Sequence, residues 1–99
     1  MTDRLFQFEW DKYKALANVG KHGVTFELAA KVFNDPRLVT VADLTHSEAE
    51  DRWFSIGCAS NGKILPIVYL WQEVDPVLIK IRLISARPAA QKEKRRYTF

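Results

Sequence analysis

Seven cations crowd the C-terminal end of this chain, Lys80, Arg82, Arg87, Lys92, Lys94, Arg95 and Arg96, and Glu93 is the only acid among them. The whole chain of 99 residues carries a net charge of just +3, so everything before Lys80 is acidic on balance. A concentrated positive end attracts phosphates, and RNA and DNA are the commonest polyphosphates available to a small protein. Apolar and aromatic residues interleave with the charges, as in Ile81-Arg82-Leu83-Ile84 and Arg96-Tyr97. That interleaving predicts folded structure rather than a solvated tail.

Alternation places Lys80 and Arg82 on one face of a strand whose other face holds Ile79, Ile81 and Leu83. Arg87 has the parity of the apolar set, so the strand is expected to end before it and leave Arg87 at a strand-to-helix junction. Lys92, Lys94, Arg95 and Arg96 follow on a nearly all-polar closing helix whose terminal Tyr97 can either pack on the sheet or serve a site. Lys21 and His22 form a second cluster. They can complement the negative end of a helix, or act as an acid/base pair at the helix junction.

Other chemistry is weakly represented. Cys58 is the only cysteine, which excludes an internal disulfide and a thiolate zinc cluster, and its apolar strand context suits a small core filler. There is no glycine-rich phosphate loop, no Gly-x-Ser-x-Gly elbow and no His-x₃-His pair. The acids between Asp43 and Asp51 show no octahedral ligand spacing, and His46 among them reads as a turn residue. A reaction without metal or cofactor is expected.

The elements that must position these residues follow from periodicity and caps. Leu5, Phe6 and Phe8 predict a first strand, and Asp11 caps a helix in which Tyr13, Leu16, Ala17 and Gly20 share one face. Gly23 ends it, Thr25 caps a second helix through Phe33, and Asn34-Asp35-Pro36 stops that one. Strands are expected over residues 37–42, 53–58, 64–71 and 78–86, with Asp43 to Asp51 as a loop. Asn61-Gly62 predicts a type I′ hairpin, and Pro66 predicts a bulge or local edge. Pro88 suits the first turn of the closing helix. The order β-α-α-β-β-β-β-α defines a single α+β domain over residues 1–99, a mostly antiparallel sheet with helices on one face. The N-terminus lacks a basic-then-apolar signal and no apolar run approaches ~20 residues, so a cytoplasmic protein with no membrane partner is expected.

Several segments together are similar to the BrnT toxin family: Phe8-Glu9-Trp10-Asp11, Asn18, Lys21 to Glu27, Val32-Phe33-Asn34-Asp35-Pro36, Arg52 to Gly57, Ile84-Ser85-Ala86-Arg87, and Glu93 to Tyr97. They occur in the family's order over nearly the whole chain. The resemblance implies a RelE-like fold and the toxin of a type II toxin–antitoxin pair. It implies an endoribonuclease that inhibits translation and growth and is neutralised by a BrnA-like antitoxin with a ribbon-helix-helix region. DNA would then be met only through the antitoxin.

Metal-free RNA cleavage by 2′-OH attack needs a base, an acid and cations for the phosphorane. Arg82 and Arg87 are the candidate cations, His22 or Tyr97 the proton carriers, and Lys21 a neighbour that lowers a pKa or binds phosphate. Lys80, Lys92, Lys94, Arg95 and Arg96 are the candidates for holding the RNA backbone. Two alternatives stand beside this reading: a non-catalytic nucleic-acid-binding module, and an interaction protein whose basic surface docks an acidic partner.

Overall fold

The computed structural model describes residues 4–42 and 52–98. The acids and His46 of the segment between Asp43 and Asp51, and with them the expected loop, lie outside the described residues. Five strands form one sheet, in the order β1-β5-β4-β3-β2: β1 (Leu5–Glu9), β2 (Val39–Ala42), β3 (Arg52–Cys58), β4 (Ile64–Glu73) and β5 (Leu78–Ala86). β2 to β5 make an antiparallel meander, and β1 joins the edge of β5 in parallel. Helices α1 (Lys12–His22) and α2 (Phe26–Ala30) fill the crossover between β1 and β2, a 3₁₀ turn (Lys31–Asn34) extends α2, and α3 (Gln91–Thr98) closes the chain. The element order is the expected one.

The caps act as the residue types require. The Asp11 carboxylate accepts from the Lys14 amide and the Thr25 hydroxyl oxygen accepts from the Leu28 amide. Gly23 takes φ 70° as the left-handed residue after α1, where a side chain would be strained. The Asn61-Gly62 turn departs from the expected type I′, because only Gly62 has positive φ. The Gly62 amide donates to the Ala59 carbonyl and the Ala59 amide to the Lys63 carbonyl, closing a three-residue loop with glycine in its left-handed position.

Ile79, Ile81 and Leu83 of β5 and Leu65, Ile67 and Tyr69 of β4 are buried beneath Phe26, Ala29 and Val32. The order of strands places β4 at the centre, as its continuous apolar run predicts. Pro66 is tolerated there because it lies one residue past the Ile67–Ala86 pair that ends β5, where only its carbonyl is used, accepting from the Arg87 amide. A register shift between Val68 and Tyr69 leaves Ile84 as an extra residue of β5, and this bulge flips the parity of the residues after it. Ala86, not Ser85, then takes the buried position.

Two expectations change in the helices. The apolar stripe of α1 exists, but Tyr13 and Leu16 are 69% and 70% exposed, and the residue of α1 that is buried is Asn18. The closing helix starts at Gln91 rather than Pro88. The Arg87 amide donates to the Pro66 carbonyl and the Ala89 amide to the Ile64 carbonyl, so residues 87–89 prolong the pairing along β4 and cannot coil.

Candidate nucleic-acid interface and active site

Strand β5 lines up the first group of candidates. Its buried face packs on α1 and α2, which turns Lys80 and Arg82 to the opposite, open face. There Arg82 pairs with Glu9 of β1 at 3.5 Å, both side chains being well exposed. Such a pair contributes little and yields readily to a phosphate. The bulge at Ile84 decides where Arg87 lies. Since Ala86 faces the core, the next residue along the prolonged pairing turns to the open side, the side of Arg82. Four residues lie between the two arginines, which puts them roughly 15 Å apart along the strand, so the two guanidinium groups are spaced along the face rather than adjacent.

Arg87 is held from α3. Its guanidinium makes a two-pronged contact with Glu93, at 2.7 and 2.6 Å, and Glu93 also accepts from the Ala90 amide at the start of that helix. The hydrogen bond from Arg87 holds the Glu93 carboxyl below its ordinary value against the opposing effect of burial, and Glu93 in turn raises the guanidinium. One turn further along α3 lies Tyr97, whose hydroxyl donates to Asp35 at 2.5 Å. Burial works to raise the Asp35 carboxyl. Hydrogen bonds from Tyr97 and from the Cys58 and Arg37 amides, with the charge of Arg37, outweigh it and leave the group below its usual range. The same bond to Asp35 pushes Tyr97 up to about 12. Near neutral pH its proton is therefore committed to the carboxylate.

No residue of α3 is fully buried. Glu93 and Tyr97, spaced i, i+4, make its polar attachments to the body, and Lys92, Lys94, Arg95 and Arg96 are all exposed. The helix is a cationic rod tied down at two points.

Lys21 and His22 close α1 and line a small groove with Asn18, Ile84 and Ser85. Asn18 explains why they meet β5 there. Strand β1 pairs with β5 only as far as Arg82. At Ala86 the Asn18 side chain does what a neighbouring strand would, donating to the Ala86 carbonyl at 2.8 Å and accepting from the Ala86 amide at 3.2 Å. A second bond to the Val24 carbonyl satisfies the buried amide and fixes the turn after α1.

The structure thus brings Lys21 and His22 to the bulged end of β5, places Lys80, Arg82 and Arg87 on its open side, and couples Arg87 and Tyr97 through α3. It does not gather His22 and Tyr97 at one point: His22 faces Ile84 and Ser85, and Tyr97 faces Asp35. Asp35, Asn18 and Glu93 hold these elements and side chains in place, and pattern reading assigns none of them a role in the site. Asp35 reads as a helix stop, and Asn18 enters only among the residues that carry the family resemblance. Only Glu93, the lone acid among seven cations, carries a signal in the sequence. Among the described residues no group of three His, Cys, Asp or Glu side chains gathers as a metal ligand set, and no helix is long and apolar enough to cross a membrane.

The chain folds as a small α+β structure in which seven of the fifteen Lys and Arg residues fall on β5, α3 and the link between them. Residues 10–93 match the family described as the ribonuclease toxin, BrnT, of type II toxin–antitoxin systems, and the chain belongs to that family. Membership implies RNA as substrate and an antitoxin as partner. Among solved structures it is similar to the 1.1 Å-resolution crystal structure of the Brucella abortus ribonuclease toxin BrnT, with a TM-score of 0.60 and 19% identity over 92% of this chain and all of that one. The two share a fold. No curated protein matches the chain in sequence.

Proposed function

We propose that this toxin is a metal-independent endoribonuclease that arrests translation and growth in the cytoplasm until a BrnA-like ribbon-helix-helix antitoxin binds it. The observation that carries the reading is the arrangement along β5: its bulge turns Arg87 to the same side as Lys80 and Arg82, and Lys21 and His22 lie against Ile84 and Ser85, beyond the point where β1 stops pairing. RNA lies along that strand with its backbone on Lys80 and on the exposed bases of α3, Lys92, Lys94, Arg95 and Arg96. The ribose 2′-OH attacks the adjacent phosphorus, forming the cyclic phosphodiester as the bond to the 5′-oxygen breaks. Arg82 and Arg87 engage successive phosphates along the strand, and the one at the scissile phosphate offsets the charge that develops on its oxygens. His22 accepts or returns the proton, with Lys21 beside it. Tyr97, whose proton is held by Asp35, serves as an acid or as the anchor of α3 and not as a base. Glu93 must share or release Arg87 when a phosphate takes its fork.

DNA is reached only through the antitoxin. A second reading has its own support, the occupied states of Arg87 and Tyr97: the chain then binds nucleic acid through α3 and cuts nothing. Expression without a partner separates the two. The nuclease reading expects growth arrest that Arg82→Ala or Arg87→Ala relieves while the protein stays folded. Full arrest by both folded variants would remove these residues from the chemistry.

A further inference from the structure

The apolar face of α1 is turned outward. Tyr13, Leu16, Ala17 and Gly20, spaced as one helix face, are all exposed, and Val19 beside them is 43% exposed. An amphipathic helix in a small domain ordinarily buries such a stripe. Here Asn18 takes the inward position in order to bond Ala86, and that choice rotates the stripe into solvent. Between α1 and α2 runs a groove of about 370 Å³ with Trp10, Leu16, Val19 and Phe26 on its walls and Lys12 and Glu27 at its rim. At Gly20 nothing stands within 4 Å of where a Cβ would be, so another backbone can approach closely.

The charges around the stripe select its occupant. α1 contains Lys12, Lys14, Lys21 and His22 and no acid. A second copy laid along it would face lysines with lysines. A helix of 11 residues is also only roughly 16 Å long. A contact of that length falls short of the about 800 Å² per partner that stable association usually buries. Both facts favour a heterologous, acidic segment for which this groove is one of two anchors.

We propose that α1 and the α1–α2 groove bind an amphipathic helix of the antitoxin, with apolar residues at i, i+3 or i+4 and i+7 and Asp or Glu flanking them. The inference rests on the toxin reading above and adds to it a place and a chemistry for the partner. The groove lies on the helix-covered side of the sheet, away from Lys80 and Arg82. An antitoxin anchored here that also occludes the open face must pass round the sheet edge at β1. One segment then supplies affinity and another covers the cations.

The test uses the small protein encoded beside this chain's own gene, titrated calorimetrically against the full-length toxin. Leu16→Glu and, separately, Tyr13→Ser are expected to weaken binding at least tenfold. Both sites are solvent-exposed, so the thermal melt and the RNA cleavage of the free variants should match the parent. Parent and variants binding equally well would overturn the proposal alone. A parent that binds no such protein would overturn the toxin–antitoxin reading with it. A parent that sediments as a dimer, dissociated by Leu16→Glu, would assign the stripe to a second copy and also overturn it.

Discussion

The Tyr97 hydroxyl donates to the carboxylate of Asp35, 62 residues earlier in the chain, and this bond ties the last helix to the end of the 3₁₀ turn. Asp35 also holds the Cys58 and Arg37 amides, so removing it breaks more than removing Tyr97 does. Tyr97→Phe should cost about 1 kcal/mol or less at this partly exposed site, and Asp35→Ala about 2 kcal/mol. Urea denaturation checks the order. A larger loss from Tyr97→Phe would mean that the phenol's importance lies outside this bond.

The same pair predicts a pH dependence with two limits. Asp35 and Glu93 titrate below their ordinary values, so their contribution is complete above the unfolded carboxyl range and is lost as pH falls through the depressed folded values. Tyr97 is raised from 10.0 to about 12, so its contribution is complete below pH 10 and fades as pH climbs toward 12. Phenolate absorbance should show a step near pH 12 that Tyr97→Phe deletes and Asp35→Asn moves downward. A Tyr97 step that stays put in Asp35→Asn would contradict the geometry.

Arg87 and Glu93 set a trade between readiness and rigidity. Glu93→Gln should free the guanidinium for phosphate and strengthen RNA binding a few-fold, while losing the charged half of the contact that starts α3. Binding to a short non-cleavable RNA, measured by fluorescence anisotropy, reads this directly. Weaker binding in Glu93→Gln would show that Glu93 positions Arg87 for RNA rather than restraining it.

Two glycines should respond in opposite directions. A Cβ at Gly57 would come within 2.3 Å of Val32 Cγ1 and 2.7 Å of Leu38 Cδ1, both packed over β3. Gly57→Ala should therefore cost roughly 1–3 kcal/mol by overpacking. Gly20→Ala meets nothing within 4 Å and lies inside α1, so it should stabilise by about 0.5–1 kcal/mol. Thermal melts of the two variants check both signs.

Local signals made much of the fold legible. Asp11, Thr25 and Gly23 mark helix ends through short-range bonds and backbone freedom, and alternation in residues 79–83 assigns both faces of β5. What periodicity could not show was orientation. The stripe Tyr13-Leu16-Ala17-Gly20 is amphipathic by spacing, yet a single long-range contact, Asn18 with Ala86, decides that it faces solvent. The bulge at Ile84 is equally silent, because it depends on pairing with β4. In the site, the cations were visible as a cluster of like charge. Glu9, which meets Arg82, and Asp35, which meets Tyr97, were not, since they lie 73 and 62 positions away along the chain.

The open-face reading also constrains inhibition. An antitoxin that silences a cationic strand by covering it should associate quickly and lose rate as salt increases. In a structure of the complex, Arg82 and Arg87 should be shielded from solvent by antitoxin side chains. Both arginines left open would refute occlusion.

Cleavage of a defined RNA in EDTA, with the product ends identified by mass spectrometry, tests the central claim most directly. Cutting is expected without added metal, with a 2′,3′-cyclic phosphate on the upstream product. Arg87→Ala should slow the reaction roughly a hundredfold, the usual loss when one charge-stabilising donor is removed. A strict magnesium requirement, or upstream products ending in a 3′-hydroxyl, would contradict metal-independent cleavage.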